Sequence, residues 1–304
     1  MVDEVTLAEA PLGGARDRLL AHRSLHFLLD QVTGGVAGLS ARDALLVMAI
    51  NQANIAPLTR ETTARIHYGD LENPAPDAER RPVSISAIAV SLGLSFETVR
   101  RRIKHLETLG VCAVMGHGVI VPETFLASPA YLQSVVDAHV RLRVFYRELR
   151  DAGLLGPLPR SAFAVGEVVP VRAAARLLSD YILREAEHLM RVAGDVVSAV
   201  VLLGVLVNST EPPAGTRATL IALLAQRLGI PAETVRRHAM HLVEHGLCVR
   251  VPGGLLVTEE IQSRPGSLAV LRENTANVQR LFAGLAERGV IEAWERLESA
   301  SGAK

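Results

Sequence analysis

One stretch of this chain occurs twice, and that restricts what it can fold into more than any other feature. Ile85 to Glu123 aligns without a gap on Ile221 to Glu259, at an offset of 136, with 16 identical residues in 39 positions. Both copies carry L-G-[LI]-x-x-E-T-V-R-R, then H-L, G-x-C, a lone Gly and V-x-E. The register continues through Pro129/Pro265, Leu132/Leu268, Leu149/Leu285 and Gly153/Gly289. A repeat of this length is one folding unit duplicated. A chain of 304 residues also has room for about two domains of ~100–200 residues each. The expected organisation is a flexible tail over 1–13, a first module over 14–152, a linker over 153–170 and a second module over 171–298.

Composition narrows the classes further. Hydrophobic residues make up 49% of the chain and aromatics only 4%, so Ala, Leu and Val carry the burial, which suits close-packed helices. The formal net charge is zero, so the molecule as a whole does not attract nucleic acid or anionic membranes. Any nucleic-acid site must come from local clustering of its basic residues. Cys112 and Cys248 occupy equivalent positions in the two copies. They lack zinc-ligand spacing and do not form a disulfide framework, so they read as small apolar residues at the start of a buried strand. The N-terminus MVDEVTLAEAPLGG has no basic segment before an apolar run, so no signal peptide is expected. The most apolar run, Val196 to Val207, is 12 residues, well short of the ~20 a membrane span needs. It reads as a helix buried on all sides, between modules or between subunits. A cytoplasmic protein with no membrane contact is expected.

Periodicity and punctuation place the elements. Ala15 to Val32 and Ala41 to Asn54 have helical apolar stripes, the second capped by Ser40. Ile55 to Arg81, with Pro57, Pro74 and Pro76, reads as a long irregular excursion. Ser84 to Leu92 is a short helix broken at Gly93. Ser95 caps a second helix, Phe96 to Leu109, which Gly110 ends. Val111–Met115 and Val119–Val121 flank the hairpin turn Gly116-His117-Gly118, and a long helix follows from Pro129 to Ala152. The second copy repeats the order: helices over Val171–Val192 and Asp195–Asn208, a much shorter loop, Ala218–Leu228, Pro231–His245, strands around Gly253-Gly254, and Ser267–Ala286. The fold class expected is mainly α with short β-hairpin wings: two tandem winged helix-turn-helix modules framed by additional helices.

The segments LGLSFETVRRRIKHLETLGV and LGIPAETVRRHAMHLVEHGL, each followed by a hairpin, resemble the DNA-binding domains of bacterial regulators of the GntR, IclR and MarR types. The resemblance covers about forty residues per module, and the large effector domain of GntR and IclR proteins has no counterpart. It implies that the start of the second helix and the Arg after Val contact DNA. Ser95, Glu97, Thr98 and Arg100 match those positions in the first copy, and Glu233, Thr234 and Arg236 in the second. It also implies a wing contact at His117. Phe96 departs from the usual polar residue.

Helix geometry supports the same face independently. With Val99 at zero and ~100° per residue, Ile103 and Leu106 fall within about 40° of it, on a core edge. Arg100, Lys104, Glu97 and Arg101 fall at about 100° to 200°, on the opposite edge, and a helix of this kind fits a major groove. Arg236 and Arg237 take the same places in the second copy. There Met240 replaces Lys104 and His238 replaces Arg102, so the first copy is expected to bind phosphate more strongly.

His238, His241 and His245 share one stripe, for which surface or inter-module packing outweighs a metal site. P-loop, HExxH, GxSxG and paired-carboxylate signatures are missing from the sequence, so neither enzyme activity nor a cofactor is expected. The function expected is sequence-specific binding of double-stranded DNA by a transcription regulator acting as an internal pseudo-dimer, with a homodimer as a further possibility. The alternatives are a winged-helix protein-interaction module, as in chromosome segregation, and a replication initiator.

Overall fold

The structure, a computed structural model, describes residues 14–162, 168–211 and 217–302. The tail expected over 1–13 lies outside them, as do parts of the expected linker and of the second copy's short loop. The described chain is mainly helical, with two small antiparallel hairpins.

The repeat is preserved element by element. In the first copy α4 (Ile85–Ser91) leads to α5 (Phe96–Thr108), β1 (Ala113–Met115), β2 (Gly118–Ile120), α6 (Glu123–Leu126) and α7 (Pro129–Asp151). In the second, α10 (Ile221–Leu228) leads to α11 (Ala232–Glu244), β3 (Val249–Val251), β4 (Gly254–Leu256), α12 (Glu259–Gln262) and α13 (Pro265–Glu287). From α5 onward each pair keeps the offset of 136 at both ends. The duplication also extends upstream, where the sequence shows little identity. The leading helices α1 (Ala15–Gly34) and α2 (Ala41–Ile55) correspond to α8 (Val171–Ala193) and α9 (Val196–Thr210), with α2 and α9 offset by 155 at both ends. The difference between the offsets is 19 residues of extra chain between α2 and α4. That excursion is less irregular than its prolines suggest. It contains the helix α3 (Thr62–His67) between two short 3-10 turns, and it buries Tyr68, Ala75 and Arg80.

One glycine and one buried polar side chain fix each hairpin on its helix. Gly118 and Gly254 have φ of 150° and 134°, and a Cβ at either would collide with the backbone carbonyl of Val83 or Thr219. Those carbonyls belong to isolated bridges, Val83 to Val119 and Thr219 to Leu255, that add a third short segment to each hairpin. The lone Gly of the repeat is thus a close backbone approach. Asn54, at the end of α2 and fully buried, donates to the carbonyls of Arg81 and Val119 and accepts from the Val121 amide. Ser209 takes the equivalent place on α9 and accepts from the Val257 amide at 3.0 Å.

The main core crosses the repeat. Leu29, Leu142, Phe145, Leu178, Leu203, Phe282 and Trp294 belong to one apolar cluster drawn from both copies. The packing is reciprocal: α1 lies against α13 and α9, while α8 lies against α7 and α2. Each leading helix therefore packs on elements of the other copy. The apolar helix α9 touches α1, α2, α8, α10 and α11, so it lies between the halves. It is enclosed on most sides, which explains why it carries no polar stripe. A second cluster sits under α4 and α5 and includes Leu46, Ile50, Ile88, Val99, Ile103 and Leu106.

The sequence reading had no helix after Ala286. α14 (Val290–Gly302) closes the core there by burying Trp294, whose Nε1 donates to His139 Nε2 at 3.0 Å. Among the described residues no single helix is long and apolar enough to cross a membrane, and α8 with α9 reaches that length only across a 97° bend.

Candidate nucleic-acid interface

The helices α5 and α11 are built alike. Ser95 caps α5 by accepting from the Thr98 amide, and its hydroxyl donates to Thr98 Oγ1 at 2.8 Å. Pro231 opens α11, where its missing N–H costs nothing. Gly93 and Gly229, at φ of 61° and 62°, make the turns before them. The left-handed Gly110 and Gly246 end them, and the next amide returns to Leu106 or Leu242 at 2.9 Å. Val99, Ile103 and Leu106 anchor α5, as Val235, Ala239 and Leu242 anchor α11, all essentially without solvent contact. Burial of each large side chain contributes ~2 kcal/mol, so one edge of each helix is fixed and the opposite edge is left to solvent.

On that outer edge Glu97, Arg100, Arg101 and Lys104 of α5 are exposed, as are Glu233, Arg236 and Arg237 of α11. Thr98 and Thr234 are half-buried, and His117 is exposed at the tip of the first hairpin. Arg100 is held by Glu97, its Nε and Nη2 donating to the two carboxylate oxygens at 2.9 and 2.8 Å. The hydrogen bond from Arg100 keeps the Glu97 carboxyl below its ordinary range. Arg236 faces Glu233 in the same way at 3.3 Å. Such exposed pairs are weak and re-form readily on another acceptor. Among the described residues Arg101, Lys104 and Arg237 make no ion pair.

Arg102 is not part of this edge, which corrects the expectation that its replacement by His238 weakens phosphate binding in the second copy. It turns inward and holds Asp43 of α2 through two nitrogens, with Nε 2.8 Å from Oδ1. Asp43 is buried and also accepts from the Ser40 hydroxyl at 2.7 Å. In the second copy these three places belong to His238, Ser198 and Asp195. Ser198 Oγ lies 2.8 Å from His238 Nδ1 and donates to Asp195 Oδ2 at 2.6 Å. Each copy thus ties its outer helix to the helix beneath it by a polar clamp of different chemistry. The partners are 59 residues apart in the first copy, and no local pattern in the sequence signals them.

Ser198, His238 and Asp195 are residue types of a nucleophilic triad, but their geometry cannot run one. Both the hydroxyl and the carboxylate, at 2.8 and 3.4 Å, face the same ring nitrogen, and Ser198 is fully buried. A proton relay needs them on opposite nitrogens. The His241 and His245 rings lie tilted with centroids 4.1 Å apart, and His245 Nδ1 sits 2.8 Å from the His241 carbonyl oxygen, so the stripe of three does not converge on a point. Among the described residues no group of three or more His, Cys, Asp or Glu is placed to hold a metal. Cys112 and Cys248 are buried just before β1 and β3, and burial pushes their thiols up to about 12 and about 11. Neither is a ready nucleophile.

Comparison of the chain with protein-family models, with curated proteins and with solved structures returns no match.

Proposed function

We propose that this protein is a sequence-specific DNA-binding regulator that presents two winged helix-turn-helix readers from one chain. The observation that carries this reading is the duplicated outer edge of α5 and α11. In both copies a helix fixed along one side by buried apolar residues offers the Glu and the two Arg of E-T-V-R-R to solvent, with the second Arg unpaired among the described residues. An exposed arginine of this kind can bridge guanine acceptors or a phosphate in a major groove. Arg100 and Arg236 join it by leaving their glutamates. The hairpins, with His117 at the tip of the first, act as wings along the backbone. The core shared by both copies sets the spacing of the two readers, in place of a dimer interface.

Fluorescence anisotropy on the chain's own upstream region and on a scrambled duplex, across a salt series, tests this. Preference for the upstream duplex and a steep salt slope are expected, both reduced in Arg101→Ala/Arg237→Ala. Absence of binding to either duplex at low salt would overturn the reading. In that event a protein partner becomes the better one, and one observation favours it. Phe96 at the start of α5, and Val114 and Met115 on the first hairpin, are about half exposed, an apolar set of the kind found at interaction surfaces.

A further inference from the structure

Two adjoining cavities lie where the halves meet. The first, of about 120 Å³, is almost wholly apolar and lies between α1, α2, α7, α8 and α9, with Leu45, Met48, Ile182, Val200 and Leu203 among its walls. Its lining includes Gln31, a buried side chain whose Nε2 has no partner. The second cavity, of about 30 Å³, is polar and is lined by Arg80, Arg172 and Arg176. Asn51, Tyr131, Val135, Ala175 and Ser179 line both, so the two are neighbours across one shared wall.

The three arginines are held in place, and only Arg80 has a carboxylate beside it. Arg80 donates to the Ala75 carbonyl at 3.0 Å and to Asn51 Oδ1 at 3.1 Å, with one carboxylate oxygen, of Asp77, at 3.8 Å. Arg172 donates to the carbonyls of Leu71 and Leu126 at 2.7 and 3.1 Å. Arg176 donates to the Tyr68 carbonyl at 2.6 Å, and its Nη1 is buried with no partner. Among the described residues no carboxylate reaches ion-pair distance of Arg172 or Arg176. Burial, together with repulsion from Arg172, pushes the Arg176 guanidinium down to about 10. Buried cations are normally paired with anions, and this group is short of one.

We propose that these adjoining cavities bind a small apolar carboxylic acid, its carboxylate taken by Arg176 with Arg172 and Arg80, and its body in the apolar chamber. Size sets the class of ligand. A cavity near ~150 Å³ accepts a benzene ring, and ~30 Å³ is the share of a single water, so the body is about one ring or a short branched chain. The unused Gln31 Nε2 gives a hydroxyl or carbonyl on that body one partner. Among the described residues the second copy has no such site, because Arg80 and the Leu71 and Tyr68 carbonyls that hold Arg172 and Arg176 belong to the excursion found only in the first. The position also suits an effector. The apolar chamber is walled by α2 next to Asp43 and by α9 around Ser198, the residues clamped to α5 and α11. A ligand that moves α2 against α9 changes the spacing of the outer helices. Only this coupling rests on the DNA-binding reading, whereas the binding itself does not.

Isothermal titration of the full chain with benzoate, phenylacetate and hexanoate, beside benzyl alcohol as the neutral match, tests the site. At least one carboxylate is expected to bind about tenfold or more tightly than the alcohol, as a charge-assisted hydrogen bond implies. Arg176→Met and Ala175→Leu, which fills the shared wall, are each expected to lose about that factor. If Arg176→Met does not fold, Ala175→Leu decides alone. Equal affinity for acid and alcohol, binding that survives Ala175→Leu, or no binding of any of the three acids overturns the proposal. Carboxylate binding that shifts the affinity for DNA supports both site and coupling. Carboxylate binding in a protein that binds no duplex supports the site and counts against the DNA reading alone.

Discussion

Arg102 of α5 and Asp43 of α2 form a two-pronged clamp in which the carboxylate is buried and the guanidinium half-buried, with Nε 2.8 Å from Oδ1. The Asp43 carboxylate answers two needs at once, since it neutralises Arg102 and takes the Ser40 hydroxyl that caps α2. The first outer helix is therefore held to the core by a charged pair, and the second by a serine between a histidine and an aspartate. That difference separates two helices which the repeat makes look equivalent.

Asp43→Ala is expected to be among the most destabilising single changes in the first copy. It leaves the half-buried Arg102 without its carboxylate and also removes part of the α2 cap. The cost expected is ~3 kcal/mol, read as a lower urea midpoint with an unchanged slope. Glu97→Ala, which breaks the solvent-exposed pair one turn earlier, is expected to leave the midpoint where it is. Equal effects of the two changes would show that the inward pair does not anchor α5.

Lys104 and Met240 occupy the same place on the two outer helices, and both are exposed. With Arg102 turned inward, this one position carries the charge difference between the outer edges. Met240→Lys is expected to strengthen DNA binding at low salt and to steepen the log–log salt slope by about one unit, as one more phosphate contact does. Lys104→Met is expected to do the reverse. Neither change should move the melting temperature, because neither side chain is packed in the core. A Met240→Lys protein with the wild-type salt slope would place α11 away from the DNA.

The order of elements was legible in the sequence because duplication writes the pattern twice. Residues such as the capping Ser95 and the turn-forming Gly93 and Gly229 act locally, within a few positions of what they control. The candidate edge of α5 was legible for the same reason, since the 3.6-residue period separates Val99 from Arg101 without knowledge of the rest. Contacts between distant segments were not. Arg102 counted toward phosphate binding because nothing near it in sequence names Asp43 as its partner. The correspondence of α1 and α2 with α8 and α9 leaves too little identity to align, since it is kept mainly by length, by burial and by the Asn54 and Ser209 positions. α14 was missed because its stripe is short, and its main contribution is a single Trp. The arginine cavity needs α8 from one copy and the excursion from the other, so it exists only in three dimensions.

Trp294, the sole tryptophan of the chain, reports on the protonation of His139. Burial first, and then the nearby Arg143, pushes His139 down to about 4. In the fold the ring stays neutral so that Nε2 can accept from the indole. A folded-state value depressed from 6.5 means that the unfolded chain takes up the proton first as pH falls. Its contribution to stability is therefore complete above about pH 6.5 and is lost as pH drops toward 4, by ~2 kcal/mol once partial solvent access is allowed for. Trp fluorescence is expected to change over that interval, ahead of the loss of helical circular dichroism, as α14 loosens from α7. Coincident transitions would show that α14 does not release separately.

Glu185 on α8 pulls the opposite way. It is buried, with Asn277 Nδ2 donating to its Oε1 at 2.8 Å. Burial outweighs that hydrogen bond and, with Glu273 nearby, raises the carboxyl to about 7. Glu273 itself faces His188 at 2.9 Å, and Arg280 donates to the other side of Asn277. The folded protein therefore keeps a proton that the unfolded chain has released above about pH 4.5. Stability falls as pH rises from there to about 7, by an amount on the order of 3 kcal/mol at most, and stays lower above it. Over the interval shared with His139 the two slopes have opposite signs, so the wild-type protein is expected to show a flat profile between about pH 4.5 and 6.5. Glu185→Gln keeps the acceptor for Asn277 and removes the titration. It should raise the urea midpoint at pH 8, leave it unchanged near pH 4, and expose the rising slope of His139 in between. A variant no more stable than wild type at pH 8 would mean that Glu185 is ionised in the fold without penalty, with a charge partner reaching it in solution.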